Sequence, residues 1–264
     1  GIRIQGGAFR RFDLSLKKSF RIVFREEYGT GMLEYPLFGP DAAERFNNFI
    51  LRANSNDAWP YAGDRAVYVR DAWAMETVRA MGSVSSHTDF VHLYINGFYW
   101  GLYNPTERPD AGFSSSYFGG DRDDWDAINQ DSAPDGNYEA WNRLLSLAGQ
   151  GLADNERYQF IQGNNPDGTR NPAYEDLVDI ENMIDYMIMN IYVGNTDWPH
   201  RNWWTGRNRE NGDGFKFFPW DTETALGFSS VNANQTGVNS QVAAVYGAAR
   251  ANPDFRMQFA DQVH

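Results

Sequence analysis

Asp197 and Asn202 stand five positions apart in "GNTDWPHRNWW" (194–204), and Asp221 closes the apolar run "FKFFPWD" one hairpin later. Two carboxylates and a carboxamide are hard oxygen donors, suited to Mg²⁺ or Mn²⁺ and to taking a proton from an incoming hydroxyl. A plainer reading of Asp197 and Asn202 is a turn held by side-chain to backbone hydrogen bonds. Asp221 resists that reading, because a carboxylate ending an apolar strand must be paired, metal-bound or near solvent. His200, in the same loop, reads as a cleft-facing residue that can touch a ligand. The four His are scattered without an H-x-x-x-H pattern, there is no G-x-S-x-G elbow, and the chain has no Cys. Zinc and thiolate chemistry therefore have no sequence support, nor does a serine-nucleophile triad.

Such groups need a scaffold. "KKSFRIVF" alternates toward a strand over 18–24, and "FNNFILRAN" carries a second ending near Arg52. "VRDAWAMETVRAMG" places Val69, Trp73, Met75 or Glu76, and Val78 at helical spacing, with Gly82 as its stop. "FVHLYINGFYWGLYN" is two β-branched, aromatic runs joined by Asn96-Gly97, the signature of a type I′ hairpin, and Pro105 and Pro109 read as the end of strand pairing. Residues 111–175 are looser, with a short helix near "YEAWNRLLSLA". "EDLVDIENMIDYMIMNIYV" sets Leu177, Ile180, Ile184, Met187, Ile188 and Ile191 on one helical face and delivers the chain into the 194–204 loop. "NWWTGR" and "GFKFFPWD" form a small hairpin around a polar turn. This order predicts an α+β protein, with a β-rich lobe over 1–108 and a mainly helical lobe over 109–264. The start "GIRIQGG" reads as a strand already under way and the end "FRMQFADQVH" as a helix cut short, as in a piece of a longer polypeptide.

With 264 residues, 42% of them apolar, the chain can build a real core, and aromatics at 16% carry much of it. A formal charge of −12 argues against a partner bound through its phosphate backbone, so nucleic acid is not expected. An anionic nucleotide would need local cations or metal ions to approach this surface. No apolar run reaches the roughly 18–20 residues of a membrane-spanning helix.

The order Asp, four residues, Asn, hairpin, Asp is also that of protein kinases, where the first Asp orients the attacking hydroxyl and the other two groups hold metal. Kinases further pair a strand cation with a helix acid, for which the order-matched residues here are Lys18 or Arg52 with Glu76 or Glu107. Lys17 and Lys18 serve equally as solvated edge-strand charges. No G-x-G-x-x-G loop is present, and "IQGGAFRRF" is the one stretch that could cover phosphates.

Eight blocks in order, "KKSFRIVF", "YPLFG", "ILR", "RDAWAMETVRAMG", "VHLYINGFYWGLYNPTERPD", "NPDGTRNPAYEDL", "GNTDWPHRNWW" and "FKFFPWDTETALG", make the whole chain resemble the CotH (spore coat protein H) kinase family. The resemblance implies a bilobal, atypical protein-kinase-like fold and an ATP-dependent, metal-dependent transfer of the γ-phosphoryl group to Ser or Thr of a protein. It implies a secreted or cell-surface bacterial setting. Asp197 then matches the catalytic aspartate, Asn202 and Asp221 the metal ligands, and Trp220 an adenine-stacking residue, although a core Trp reads equally well. Many relatives carry W-D-x-D where this chain has "WDTE", so Glu223, with one more carbon of reach, either binds a second metal or caps the following segment. Glu107 falls where relatives often carry a hinge Glu. Many relatives have a Lys in the segment matching "WDAINQ", where this chain has Asn129. That departure keeps open a non-catalytic kinase-like module that binds a protein or glycan of the cell envelope or extracellular matrix. Adenylyl transfer on the same scaffold is a third reading.

Overall fold

The computed structural model describes residues 1–264, and their contacts divide them into two compact units, one of Gly1–Glu76 with Ser85–Arg108, the other of Thr77–Val84 with Pro109–His264. The protein is mixed α and β, with antiparallel sheets. No helix is long and apolar enough to cross a membrane.

The first unit holds strands β1 (Ile2–Gln5), β2 (Ser19–Val23), β3 (Leu33–Glu34), β4 (Arg45–Phe46) and β5 (Asn48–Arg52). After these come the one-turn helix α1 (Trp59–Ala62), helix α2 (Arg70–Ala80), whose last turn counts with the second unit, and strands β6 (Val91–Ile95) and β7 (Phe98–Thr106). Five of the strands form one sheet in the order β1-β2-β5-β7-β6, and β3 pairs with β4. Alternation sets Phe20 and Ile22 of β2 on the face that also carries Leu51, Val91, Leu93 and Tyr103, a small core of its own. The β6–β7 turn is as the sequence predicts: Asn96 and Gly97 both take positive φ, 50° and 82°. Pro105 does not end pairing, since β7 runs on to Thr106 with Leu51 opposite Pro105. Its carbonyl accepts from the Asp89 amide and the Thr88 hydroxyl. The missing N–H thus faces that side and costs β5 no bond.

Helix α2 starts where Asp57, almost fully buried, accepts from the amides of Val67 (3.0 Å) and Arg70 (3.4 Å) and pairs with the Arg70 guanidinium. Its buried face is Arg70, Asp71, Ala74, Met75 and Val78, while Val69 and Trp73 point outward. The predicted stripe is rotated because two charged residues, each with a partner, occupy part of the inner face.

The second unit contains α3 (Ala111–Phe118), β8 (Trp125–Asn129), β9 (Ser132–Asp135), α4 (Glu139–Gly149), α5 (Asn155–Phe160) and α6 (Ile180–Tyr192). Strands β10 (Trp203–Asn208) and β11 (Lys216–Pro219) and helices α7 (Ala244–Ala249) and α8 (Pro253–Val263) complete it. The expected hairpin is half of a four-stranded sheet, β11-β10-β8-β9, so this unit carries more strand than the sequence indicates. Trp141, Tyr186, Trp198, Trp203, Phe215 and Phe217 build its main core, and Phe113, Trp125, Trp204 and Phe218 a second cluster. Helix α6 begins at Ile180, capped by Asp179, whose carboxylate accepts from the Asn182 amide. It is buried nearly all round rather than along one stripe, taking in Asn182, Asp185 and Asn190. Leu177 precedes it in extended backbone, exchanging bonds with Ile161 and Phe215.

Candidate active site

Helix α6 ends at Tyr192 with Val193 as its cap, and Gly194 (φ 59°) turns the chain into the 194–204 loop. Asn195, fully buried, fastens that turn. Its amide group donates to Asn190 Oδ1 (3.0 Å), and its own Oδ1 accepts from the Thr224 hydroxyl (3.3 Å). Thr224 Oγ1 in turn accepts from the Asp197 backbone N–H (3.1 Å), and the Thr196 hydroxyl donates to the Thr224 carbonyl (3.1 Å). The loop is thus laced to the segment just after Asp221. Trp198, Trp203 and Trp204 are buried beneath it, and Trp198 Nε1 donates to the Tyr186 hydroxyl of α6 (2.7 Å). Burial pushes the Tyr186 phenol well above its ordinary pKa, so it remains a neutral partner. The Trp198-Pro199 peptide bond is cis.

On this base the Asp197 carboxylate is held from two sides. Asn202 Nδ2 donates to Oδ2 (3.0 Å), and His200 Nε2 lies 3.2 Å from Oδ1. Asp197 and His200 both reach solvent, whereas Asn202 is 7% exposed. The ladder ends with Trp203 opposite Pro219, so Asn202 lies just before it on one strand, and Trp220 and Asp221 just after it on the other. Asn202 and Asp221 both occupy the left-handed region, at φ 62° and 58°, which Asn and Asp tolerate better than other residues with a Cβ. The structure brings Asp197, His200, Asn202, Trp220 and Asp221 together at the end of one two-stranded ladder. Glu223 follows in a short 3₁₀ turn and is buried, and Trp220 is half-buried with Trp204 edge-on at 6.2 Å.

No three His, Asp or Glu side chains gather to hold a metal ion by themselves, so a divalent cation here would also draw on the Asn202 amide oxygen. With Nδ2 committed to Asp197, the Asn202 amide oxygen is left facing away without a hydrogen-bond donor, and Asp221 and Glu223 supply carboxylates. These are oxygen ligands of the kind Mg²⁺ and Mn²⁺ take.

The remaining expected site residues, Lys18, Arg52 and Glu107, lie in the first unit. Lys18 is buried, its ammonium donating to the carbonyls of Phe9 (2.9 Å), Arg11 (2.7 Å) and Ser15. Arg52, at the end of β5, forms a buried ion pair with Asp71 in the first turn of α2 (3.3 Å). Glu107 is buried just past β7 and accepts from the His87 backbone amide (2.7 Å), with His87 Nδ1 at 3.0 Å from the same oxygen. Asn129 donates to the Trp203 carbonyl (2.8 Å), inside the β8–β10 pairing.

Sequence reasoning passed over Asp71, Asn195 and Thr224. Asp71 stood in the quoted helix block, one residue into α2, and only its pairing with a strand residue nineteen positions earlier singles it out. Asn195 had a faint signal in its five-residue spacing from Asn190, while Thr224 had none.

Comparison with curated proteins finds no match. The family model described as CotH kinase protein matches residues 2–262, nearly the whole chain. With that match spanning both units and the entire 194–223 constellation, the chain belongs to the CotH kinase family.

Proposed function

We propose that this chain is a protein kinase that transfers the γ-phosphoryl group of ATP to a Ser or Thr hydroxyl of an extracytoplasmic protein, in a secreted or cell-surface bacterial setting. In this reading residues 1–108 and 109–264 are the β-rich and helical lobes of a bilobal kinase-like fold. The observation that carries it is the Asp197 carboxylate, fixed by Asn202 and His200 on a loop laced to the segment after Asp221. Asp197 orients the acceptor hydroxyl and receives its proton as the oxygen bonds to the γ-phosphorus and the bond to the leaving ADP oxygen breaks. The Asn202 amide holds the carboxylate in the rotamer that faces the acceptor. Asn202 Oδ1, Asp221 and Glu223 would hold Mg²⁺ or Mn²⁺, which when bound neutralises charge on the phosphates. Trp220 and His200 would border the nucleotide, and Glu107 is a further nucleotide-binding candidate. Of the two cations, Arg52 suits the phosphate-binding role better than Lys18. Its pairing with Asp71 reproduces a strand cation braced by a helix acid, while the Lys18 ammonium is already engaged by three carbonyls.

Asp221→Asn tests this reading, because it keeps size and left-handed tolerance and removes the charge. We expect phosphotransfer to a mixed protein substrate to fall by about 10²-fold or more, and the thermal shift with Mn²⁺ and ATP to disappear. Undiminished phosphotransfer in that variant would sink the assignment.

Asn129 favours a second reading. Its side chain is spent on the β8–β10 sheet in the segment where the family resemblance implies a Lys, which fits a kinase-like module that binds without catalysis. Wild-type protein showing no thermal shift with Mn²⁺ and ATP over several millimolar would favour the module.

A further inference from the structure

On the second unit, a cavity of about 300 Å³ opens between Ser83, the start of α6, Lys216 of β11 and Gln262 of α8. None of its lining residues is Asp197, His200, Asn202, Trp220, Asp221 or Glu223. Three carboxylates line it, those of Asp179, Glu181 and Asp185, against one ammonium, that of Lys216. Lys216 is spent on Asp179, 2.7 Å away, with its ammonium 5.0 Å over the Phe118 ring.

Asp185 is the anomaly. It is 4% exposed, yet its two oxygens receive only neutral donors, the Ser83 hydroxyl (2.6 Å) and the Gln262 amide (2.7 Å). No cation in the chain pairs with it. A buried carboxylate without a counter-charge is costly, whereas one that meets a cation and keeps its hydrogen bonds is stabilised.

A second, independent group points into the same cavity. Asn182 is 7% exposed, and its orientation is fixed because Oδ1 accepts from the Phe217 backbone N–H (2.6 Å). Nδ2 must therefore face the other way, toward the cavity it lines, and it has no acceptor. A buried amide donor beside an unneutralised carboxylate calls for a guest with a cation at one end and an acceptor oxygen at the other. The planar guanidinium, with donors spaced to match a carboxylate, meets the first requirement better than a point ammonium. A backbone carbonyl meets the second.

We infer that this cavity is a binding site for a guanidinium group, with Asp185 and Glu181 receiving the cation and Asn182 Nδ2 donating to a carbonyl of the same ligand. The site is separate from phosphotransfer and does not depend on the kinase reading. It takes an arginine residue of a peptide, whose backbone supplies the carbonyl that a free guanidinium compound such as agmatine lacks.

Calorimetric titration of the full chain with N-acetyl-arginine N-methylamide and, separately, with agmatine tests the site. Saturable binding of either is expected, weakened about tenfold or more by Asp185→Asn and unchanged by Glu156→Gln, which lies on a different surface groove. Tighter binding of the capped residue than of agmatine supports the carbonyl contact with Asn182, and binding of agmatine as tight as or tighter than the capped residue overturns it. Absence of saturable binding of both probes at about 10 mM, or binding indifferent to Asp185→Asn, overturns the proposal. Should Asp185→Asn fail to fold, the Asn182 side-chain amide resonance of the wild-type protein decides. A shift that saturates with the capped residue supports the site, and an unmoved resonance rejects it.

Discussion

Asp197 has its two oxygens divided between an amide that fixes its rotamer and an imidazole that reaches solvent. Its replacement by Asn keeps the shape but removes the proton acceptor. Asp197→Asn should lower kcat for phosphotransfer by about 10²–10⁴-fold while leaving the ATP-dependent thermal shift in place, a split that separates base loss from nucleotide loss. Asp176 makes a prediction of a different kind. Burial pushes its carboxyl up to about 6, against the backbone bond from Val178 and the nearby Arg170 and Arg207. A raised pKa means the protonated form is favoured in the fold, so the stabilisation is fully present below about pH 4 and is lost as pH rises through about 6. Asp176→Asn should therefore raise stability at pH 7 by roughly 1 kcal/mol after allowance for solvent screening, with the gain vanishing near pH 4 in paired thermal melts. The chemistry-bearing residues were the legible part of the site, because Asp197, Asn202 and Asp221 keep a spacing along the chain. Asp71 and Thr224 were not, since a partner across the fold leaves no local period.

Helix α6 is the element on which the loop depends. Its Tyr186 hydroxyl is the partner of the buried Trp198 N–H. Tyr186→Phe orphans that donor, and we expect a loss of about 1–3 kcal/mol in urea unfolding with a parallel fall in activity. Local chemistry made the β6–β7 hairpin readable, because Asn-Gly suits two successive positive φ angles. The β8–β10 pairing was hidden for the opposite reason. β8 is a five-residue strand among Asp and Asn, its partner lies more than seventy residues on, and its other neighbour β9 contains Pro134. Helix α6 was readable as a buried helix but not in how far round that burial runs, because three polar side chains turned inward each find a backbone or side-chain partner there.

At the level of the whole molecule, a formal charge of −12 sets the field through which any ligand arrives. A triphosphate is repelled by it at long range, and salt screens that repulsion over about 10 Å at 0.1 M. The apparent affinity for ATP at saturating Mg²⁺ should therefore rise about two- to threefold as monovalent salt goes from low to physiological strength. Fluorescence titration at several salt concentrations reads this directly. A guanidinium ligand should show the reverse trend.

The left-handed backbone at both Asn202 and Asp221 narrows the alphabet of the site. A residue with a branched or bulky Cβ is strained there by roughly 1–2 kcal/mol, so Asn, Asp and Gly are the replacements the backbone accepts. Divergent descendants of this chain that abandoned phosphotransfer would be expected to drift at these two positions toward Gly, and those that kept it to hold Asn at 202 and Asp at 221. The backbone would then record, at two φ angles, whether a given copy still does chemistry.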